Sequence, residues 1–418
     1  MSDPAPRAGF ALVATIGVLI VLVVGGALAL AAAGGGLPSE SSPVGDPSDV
    51  ASPAPPPATG AVEPEPVSFG DGTYLNGYEY LRGVNVYSLI FAGKGPDLAD
   101  VGEPQSSYDY LASRGVSIVR LAVPWQRLQE IPEGGTAIDG LAQPIDLEYL
   151  EMVAEQVNRA AKAGIRTVFD LHNGCTYPWG AGEFIEGSVR CGDGITEEHV
   201  ANLWTTIASR FKGDERVIAY DIFNEPRWSV GVDTYKHYAQ VAVDAIRATG
   251  DDHTLWVEGI LSDVRGRLAA IAPDGPWIHD PLEKTMYSEH FYVDEGGAHY
   301  SEIENPRVIL ERLRTFGEWC RAWSVRCSVG EVGWPSGGPG GVHSQEDADA
   351  WNELFEEFYD MADAYELDVT HFAASGSRQV GTLLTYVASR PGIPAVSGID
   401  TALSQAEVFE RHLSRPAE

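Results

Sequence analysis

Eight short apolar segments alternate with amphipathic segments through most of the chain, and this alternation restricts the possible folds more than any other feature of the sequence. The amphipathic segments have apolar residues at helical spacing and include 147–163, 197–211, 233–248, 307–322 and 346–364. The apolar segments have the length of β-strands and cover 81–86, 116–123, 165–171, 217–223, 254–258, 285–290, 327–331 and 369–373. Alternation of this kind is typical of βαβ units around a parallel sheet.

Two α/β topologies fit this order. Eight strand and helix units over about 340 residues predict a single (β/α)8 TIM barrel with enlarged loops. An open doubly wound sheet is the alternative, but no Gly-x-Gly-x-x-Gly follows the first strand segment to favour a nucleotide site. Since no repeat at a fixed period is present, we predict one barrel domain over residues 67–418.

The first 66 residues differ in composition from the rest. Residues 10–33 form an uncharged apolar run, and a membrane-spanning helix needs about 20 such residues. Arg7 precedes the run and the next cationic side chain is Arg82, so the positive-inside bias leaves the N-terminus in the cytoplasm and exports the remainder. We predict that residues 1–33 are a membrane anchor or a cleaved signal peptide. Residues 34–66, rich in Pro, Gly and Ser, predict a disordered linker.

The net charge and the cysteine content limit the classes of partner and of metal site that the chain could have. A formal charge of −32 repels phosphate backbones and argues against a nucleic-acid partner. The four cysteines form two couples that are close in sequence and lack the C-x-x-C spacing of metal sites. In an exported chain they predict the disulfides Cys175–Cys191 and Cys320–Cys327.

Polar and aromatic side chains occur where the predicted strands end. Chemistry in TIM barrels takes place at the C-terminal ends of the strands. Polar groups are costly in a structural core, whereas a pocket that binds hydroxyl groups needs them. In strand order they are Asn85, Arg120 with Trp125, His172 with Asn173, Asn224 with Glu225, Trp256 with Glu258, His290 with Tyr292, and Glu331 with Trp334.

Two of these strand ends carry a glutamate in a distinctive context, Asn224-Glu225-Pro226 and Gly330-Glu331-Val332-Gly333. Retaining cleavage of a glycosidic bond needs two carboxyl groups about 5–5.5 Å apart, one to attack and one to protonate the leaving oxygen. Glu258 is a competing member of the pair, but its segment lacks the Arg and Asn neighbours.

The strand-end segments resemble those of glycoside hydrolase family 5, the cellulase-like retaining barrel glycosidases. The similar segments are Arg82-Gly83-Val84-Asn85, Val119-Arg120-Leu121, Phe169-Asp170-Leu171-His172-Asn173, Phe223-Asn224-Glu225-Pro226, His290-Phe291-Tyr292 and Gly330-Glu331-Val332-Gly333. The resemblance implies that Glu225 is the acid/base and Glu331 the nucleophile. It also implies that Arg120 and Tyr292 lie beside the nucleophile, with His172, Asn224 and His290 around the reacting sugar.

These roles require opposite pKa shifts. We expect Arg120 to keep Glu331 ionised, and we expect burial and the nearby negative charge to raise the pKa of Glu225. Asn224 is expected to donate to the sugar 2-hydroxyl.

The chain departs from the family pattern at strand eight, where a sugar-stacking tryptophan is usual. The segment Thr370-His371-Phe372-Ala373-Ala374-Ser375 contains none. We expect Phe372 or a loop aromatic to replace it, the loop candidates being Trp125, Trp179, Trp228 and Trp334.

The sequence thus predicts an exported or anchored retaining endo-β-glycosidase that binds a poly- or oligosaccharide such as a β-1,4-glucan. Mannan, mixed-linkage glucan, β-1,3-glucan and glycolipid stay open as substrates, and a catalytically silent carbohydrate-binding barrel is the alternative from another class. The strand-end residues require neither a metal nor an organic cofactor. The oligomeric state is not predicted.

Overall fold

The computed structural model describes residues 73–91, 102–178, 187–259, 267–293, 298–337, 343–376, 383–390 and 398–417. Strands and helices alternate along these residues. The repeating elements are β1 (Arg82–Val86), α1 (Gln105–Ser113), β2 (Ile118–Val123), α2 (Leu147–Lys162), β3 (Arg166–Leu171), α3 (Glu197–Phe211), β4 (Val217–Asp221), α4 (Val232–Ala248), β5 (Thr254–Glu258), α5 (Arg267–Ile271), β6 (Thr285–Phe291), α6 (Val308–Trp323), β7 (Cys327–Val332), α7 (Gln345–Ala364), β8 (Asp368–Ser375) and α8 (Ala406–Phe409).

Shorter elements lie in the connections and at the ends. The short helical segments are Ser88–Phe91, Trp125–Leu128, Ala137–Leu141, Trp228–Val230 and Tyr300–Glu302. The short strands are Tyr78–Tyr80, Thr176–Tyr177, Val189–Cys191, Gly194–Ile195, Tyr386–Val387, Thr401–Ala402 and Arg415–Pro416.

The eight long strands form a closed parallel barrel. Each strand pairs with the next along the chain, and β8 pairs with both β7 and β1. In the register, Asn85 lies opposite Arg120 and His290 lies opposite Glu331. The predicted (β/α)8 barrel is therefore confirmed, and the open sheet is excluded.

The predicted element ends differ from the observed ones by at most two residues, and β5 and α3 have the predicted bounds. Side-chain caps explain several helix starts. Asp146, Thr196 and Ser344 each accept a hydrogen bond from a backbone N–H in the first turn of α2, α3 and α7. Helices α1, α5 and α8 were not predicted, because they are too short to give a long periodic pattern.

Apolar side chains fill the space between strands and helices and also the lower part of the barrel. The interior cluster comes from the first halves of the strands and from the residue before β1, and consists of Leu81, Ile118, Val168, Ile218, Ala219, Trp256 and Met286. Trp256, which the sequence placed among the strand-end residues, thus belongs to this apolar layer. The polar cluster described below lies towards the C-terminal ends of the strands.

Both predicted disulfides are formed. Cys175 and Cys191 have Cα atoms 5.4 Å apart and fix the β3–α3 connection. Cys320 in α6 is joined to Cys327 at the start of β7, with Cα atoms 6.2 Å apart. Each bridge closes a short loop and contributes about 3 kcal/mol or less.

The predicted N-terminal segment 1–33 and linker 34–66 lie outside the described residues. The described residues all belong to one compact unit, residues 64–418. Within that described part, no helix is both long enough and apolar enough to cross a membrane.

Candidate active site

Arg120 on β2 is the centre of a polar cluster at the C-terminal end of the barrel. Its side chain is fully buried, and its nitrogens lie 2.7–3.0 Å from six side chains that come from β1, β3, β4, β5, β7 and the residues after β4. These partners are Asn85, Asp170, Asp221, Asn224, Glu258 and Glu331. Burial lowers the pKa of Arg120, but the carboxylates raise it well above its ordinary value. The guanidinium therefore carries a fixed positive charge that holds side chains from several strands in place.

Glu331 is held through both carboxylate oxygens. Oε1 accepts a hydrogen bond of 2.8 Å from Arg120, and Oε2 accepts one of 2.6 Å from the Tyr292 hydroxyl. Its side chain is 5% exposed. The structure therefore brings Arg120 and Tyr292 together with Glu331, and the carboxylate has one orientation.

Glu225 lies in the turn after β4, with φ at +47°. This left-handed conformation is unfavourable for a residue with a side chain and is retained only when its surroundings hold it. The backbone N–H of Glu225 donates to Oε2 of Glu258 at 2.7 Å. Glu258, the alternative member of the carboxylate pair, thus fixes the backbone of Glu225.

The two candidate catalytic carboxylates face each other across a short gap. An oxygen of Glu225, a ring nitrogen of His290 and an oxygen of Glu331 all lie within 4.8 Å of one another. Carboxylate oxygens within 4.8 Å of each other are compatible with the separation of about 5–5.5 Å between the two carboxyl groups of retaining glycosidases. The same three groups have the right atoms for a metal, but Arg120 already binds Glu331 and its charge opposes a cation.

His290 lies among three carboxylates. Its Nδ1 is 2.9 Å from Oε1 of Glu225 and 3.4 Å from Oε2 of Glu331, while Nε2 is 2.9 Å from Oε1 of Glu258. Burial alone would lower the pKa of His290, but Glu258 and Glu331 raise it well above 6.5. The ring is therefore an imidazolium at neutral pH.

This imidazolium reverses the expected pKa shifts of the pair. Burial raises the pKa of Glu225. The hydrogen bond to His290 and the positive charge of His290 lower this pKa by more than burial raises it, to about 2. The pKa of Glu331 is raised by burial and by the charge of Glu225, more than His290 and Arg120 lower it. The expectation for Glu225 was wrong for the substrate-free site, because the proton resides on His290.

His172 and Asn224 lie on the same side of the cluster. Nδ1 of His172 is 2.6 Å from Oδ2 of Asp170, and Nε2 is 3.4 Å from Nδ2 of Asn224. Oδ1 of Asn224 accepts from Arg120 at 2.7 Å. Its amide nitrogen is therefore turned away from Arg120, as donation to a sugar hydroxyl requires.

The aromatic candidates separate into packing residues and rim residues. Trp125 is fully buried against Tyr177, and Trp334 is 1% exposed and stacked on Phe355 with ring centres 4.1 Å apart. The expectation that either stacks on sugar is wrong, because neither reaches solvent. Trp179 lies outside the described residues. Oδ1 of Asn173 accepts a hydrogen bond from the backbone N–H of Trp125, at the start of the short helix Trp125–Leu128.

Trp228 and Phe372 remain as sugar-contacting candidates. Trp228 is 60% exposed, three residues after Glu225. Phe372 on β8 is 7% exposed and packs edge-to-face against Tyr87 and Tyr292, with ring centres 5.3 and 6.1 Å apart. Phe372 therefore packs against two aromatic residues of the site, and Trp228 is an exposed candidate in the connection after Glu225.

The sequence analysis missed three members of the cluster, Asp170, Asp221 and Tyr87. Alternation along β3 puts Asp170 on the same face as His172, so this position could have been found. Asp221 is a charged residue inside an apolar strand, which was a second available signal. Tyr87 follows β1 directly, and its ring lies 4.9 Å from that of His172. Burial raises the pKa of Tyr87 well above its ordinary value, and the charges of Glu331 and Glu225 add to this shift.

Comparison with known proteins identifies the family of the chain. The family model for cellulase (glycosyl hydrolase family 5) matches residues 84–377. The manganese dependent endoglucanase Eg5A of Phanerodontia chrysosporium is 29% identical over 226 residues, which cover 52% of this chain and 53% of that protein. The endo-beta-1,4-glucanase A of Emericella nidulans is 26% identical over 308 residues, covering 71% of this chain and 77% of that protein. The chain thus spans about half the length of the first relative and three quarters of the second.

Solved structures share the fold. The Pseudomonas stutzeri endoglucanase Cel5A in complex with cellobiose has a TM-score of 0.63 at 23% identity, covering 81% of this chain and 93% of that chain. XacCel5A in complex with cellopentaose has a TM-score of 0.59 at 20% identity, covering 80% of this chain and 99% of that chain. Because the family model matches well over half of the chain, the protein belongs to glycoside hydrolase family 5, the family of enzymes that the sequence motifs predicted.

Proposed function

We propose that this chain is a retaining endo-β-glycosidase that hydrolyses a β-1,4-linked glucan by double displacement, with Glu331 as nucleophile and Glu225 as acid/base. The observation that carries the proposal is the position of Glu225, His290 and Glu331, whose polar atoms lie within 4.8 Å of one another at the C-terminal end of the barrel. A purely sugar-binding barrel would not need two carboxylates at this distance.

In the first step an oxygen of Glu331 attacks the anomeric carbon while the bond to the leaving oxygen breaks. The leaving oxygen takes a proton from Glu225, so the products are a glycosyl-enzyme ester and a free hydroxyl. Arg120 and Tyr292 hold Glu331 in the attacking orientation through hydrogen bonds of 2.8 and 2.6 Å. Raising the pKa of Glu331 makes it a stronger base, and hence a better nucleophile once it is ionised.

The proton for this step comes from His290. Its Nδ1 lies 2.9 Å from Oε1 of Glu225, within reach of direct transfer. When the leaving oxygen approaches Glu225, the proton moves from His290 to Glu225 and on to that oxygen. His290 thus holds the proton before the reaction, and Glu225 transfers it to the leaving oxygen. We call this pair of residues the proton store.

In the second step Glu225 acts as a base. It takes a proton from water as the water oxygen attacks the anomeric carbon, and the ester bond to Glu331 breaks. The proton returns to the pair of Glu225 and His290. Both displacements occur at the same carbon, so the configuration of the sugar is retained.

The substrate class rests on the relatives. Two of them are named for endo-β-1,4-glucanase or endoglucanase activity, and solved neighbours hold cellobiose and cellopentaose. A panel of soluble β-glucans and β-mannans, assayed for reducing sugar, tests this assignment. We expect reducing sugar to be released from carboxymethyl cellulose. Release from mannan alone would show that the substrate is a mannan and not a β-1,4-glucan.

The chain is also proposed to act outside the cytoplasm, either anchored by its N-terminal segment or secreted. Its apolar run at residues 10–33, preceded by Arg7, supports export, and the two disulfides agree with an oxidising compartment. Fractionation of the producing cells separates the two forms. Most of the activity should be in the membrane fraction if the segment stays attached, and in the medium if it is removed.

The role of each glutamate is tested with azide. Glu331→Gly should be nearly inactive on every substrate, because no glycosyl-enzyme forms. Azide can enter the vacated space, attack from the nucleophile's face and give an α-glycosyl azide. Glu225→Ala should still load an activated aryl glycoside, which needs little protonation. Azide needs no base, so it should accelerate turnover of this variant and give a β-glycosyl azide.

Two results would overturn the assignment. Exchange of the two azide products between the variants would exchange the roles of Glu225 and Glu331. Full activity of either variant would remove that glutamate from the mechanism.

A further inference from the structure

We propose that His299, His343 and Asp347 form a binding site for a divalent transition-metal ion, separate from the catalytic carboxylates. Nothing in the proposed reaction uses these side chains. His299 lies in the β6–α6 connection, His343 precedes α7, and Asp347 is in the first turn of α7.

The three side chains converge on one carboxylate oxygen. Nδ1 of His299 lies 3.7 Å and Nδ1 of His343 lies 3.8 Å from Oδ2 of Asp347. One ligand atom from each residue lies within 4.8 Å of the other two. Ligand atoms of a tetrahedral zinc site, with bonds of about 2.0–2.1 Å, are about 3.4 Å apart. The two distances to Asp347 exceed this value by a few tenths of an ångström, so modest side-chain movements would close the site on a cation.

Two polar atoms at this site are buried without a hydrogen-bond partner. They are Oδ2 of Asp347 and Nε2 of His343, and neither has such a partner among the residues that the structure describes. The side chains are 10% and 8% exposed. A buried carboxylate oxygen without a partner is unfavourable, and a bound cation would remove that cost for Asp347.

The neighbouring contacts fix the site before the metal binds. Oδ1 of Asp347 accepts a hydrogen bond of 2.8 Å from the backbone N–H of Tyr300, and this leaves Oδ2 pointing at the histidines. The ring of Tyr300 packs edge-to-face on Trp351 of α7, with ring centres 5.0 Å apart. Hydrogen bonds of this kind, made by the other atoms of a metal ligand, orient it and increase affinity.

The ligand chemistry selects the metal class. Two imidazoles and one carboxylate suit zinc and other first-row transition metals, whereas calcium and magnesium prefer sites made only of oxygen. Three protein ligands leave a position for water. The four cysteines are paired in disulfides and offer no thiolate that would compete for zinc.

The ion would join two connections that begin next to the catalytic residues. His299 follows Tyr292 along the β6–α6 connection, and His343 follows Glu331 along the β7–α7 connection. A cation bound to both would hold these connections together. Its effect is therefore expected on stability, and it is measurable without any substrate.

Equilibrium dialysis of the full chain, purified in detergent and stripped with a chelator, tests the proposal. Zinc bound per chain is measured by elemental analysis, and the thermal midpoint is measured by circular dichroism. We expect one zinc per chain and a midpoint raised by about 4 °C when free zinc is about 100 times its dissociation constant. Calcium and magnesium should leave the midpoint unchanged.

Variants assign the ion to the site. His299→Ala removes a half-exposed side chain, and Asp347→Asn keeps an acceptor for the Tyr300 N–H, so both should fold. Each should weaken zinc binding by at least about tenfold, the effect of losing one ligand. His237→Ala, at an exposed histidine paired with Glu197, and Glu331→Gln, in the catalytic cluster, should bind zinc as the parent does. The proposal is overturned if the parent binds no zinc, if His299→Ala and Asp347→Asn bind it equally well, or if Glu331→Gln abolishes binding.

Discussion

At the scale of single residues, the position of one proton organises the site. His290 contacts Glu225, Glu258 and Glu331 at 2.9, 2.9 and 3.4 Å, and these charges keep the ring protonated although it is buried. A carboxyl group with a pKa of about 2 is ionised at neutral pH and has no proton to donate by itself. Together with His290, however, it forms a pair that holds one proton at neutral pH.

The proton store predicts both limbs of the pH profile. Glu331 must be charged to attack, and its pKa is raised, so kcat/KM should fall with decreasing pH at values above the 4.5 of an ordinary glutamate. His290 must hold the proton, so kcat/KM should fall with increasing pH only well above 6.5. Initial rates between pH 3 and 11 on a soluble substrate measure both limbs.

Substitution of His290 tests its contribution to the pH profile separately from those of the two glutamates. In His290→Asn, Glu225 must hold the proton itself, so the alkaline limb should move to lower pH, and kcat on a poor leaving group should drop by about 100-fold. His237→Asn, at an exposed histidine, is the control and should keep the parent profile. An unchanged alkaline limb in His290→Asn would refute the proton store.

Trp228 is predicted to contact the sugar chain beyond the cleaved bond. It is 60% exposed and follows Glu225 by three residues. Loss of one stacking contact costs about 1 kcal/mol, so Trp228→Ala should raise KM about fivefold with little change in kcat. Trp323→Ala, which removes a 43% exposed side chain at the end of α6, is the matched control. Equal KM values in the two variants would exclude Trp228 from binding.

Residue identity at strand ends could be predicted from the sequence, but side-chain direction could not. Glu225, Glu331 and Arg120 lie together because parallel strands end at one face. Trp334 also follows a strand, yet its ring turns outward and stacks on Phe355 of α7. The proton on His290 was not predictable either, because it depends on three carboxylates that are distant in sequence.

At the scale of elements, the close approach of β6 and β7 brings His290 to the carboxylates. Gly330 permits this approach, since a Cβ there would lie 2.7 Å from Oγ of Ser288 and 2.8 Å from Nε2 of His290. The sequence shows Gly330 next to Glu331, but it does not identify the strand that approaches.

Gly330→Ala should therefore displace His290. We expect a loss of about 1–3 kcal/mol in the free energy of unfolding, the usual cost of overpacking. We also expect kcat/KM to fall by at least tenfold, because the 2.9 Å contact of His290 with Glu225 is lost. Urea unfolding and initial rates measure the two effects.

Gly259→Ala is the matched control on the same rim. A Cβ at Gly259 would meet no described atom closer than 3.4 Å, an ordinary contact. It should keep both stability and activity. Parent-like kcat/KM in Gly330→Ala would show that the proton store does not depend on the contact between β6 and β7.

Long elements were predictable because their periodicity is sustained. The strands and the helices of 15 or more residues were found within two residues of their ends. Helix α5 spans only Arg267–Ile271 and α8 only Ala406–Phe409, so tertiary packing, not a local pattern, determines them. The connections that carry His299 and His343 were not interpreted at all, since their ligand atoms meet only in the folded barrel.

At the scale of the whole molecule, one apolar cluster and one charged cluster occupy different levels of the barrel. Side chains from the first halves of the strands fill its lower part with Ile218, Trp256 and Met286, among others. The C-terminal part concentrates carboxylates around Arg120 and His290. This arrangement holds two carboxyl groups close together, and the proposed double displacement depends on their separation.

The anomeric configuration of the first product tests this account most directly. Proton NMR should follow hydrolysis of a cello-oligosaccharide by the parent enzyme from the first minutes. Double displacement by Glu331 and water predicts that the new reducing end appears first as the β anomer, with the α anomer forming later by mutarotation. Initial formation of the α anomer would show a single displacement and would contradict Glu331 as the nucleophile.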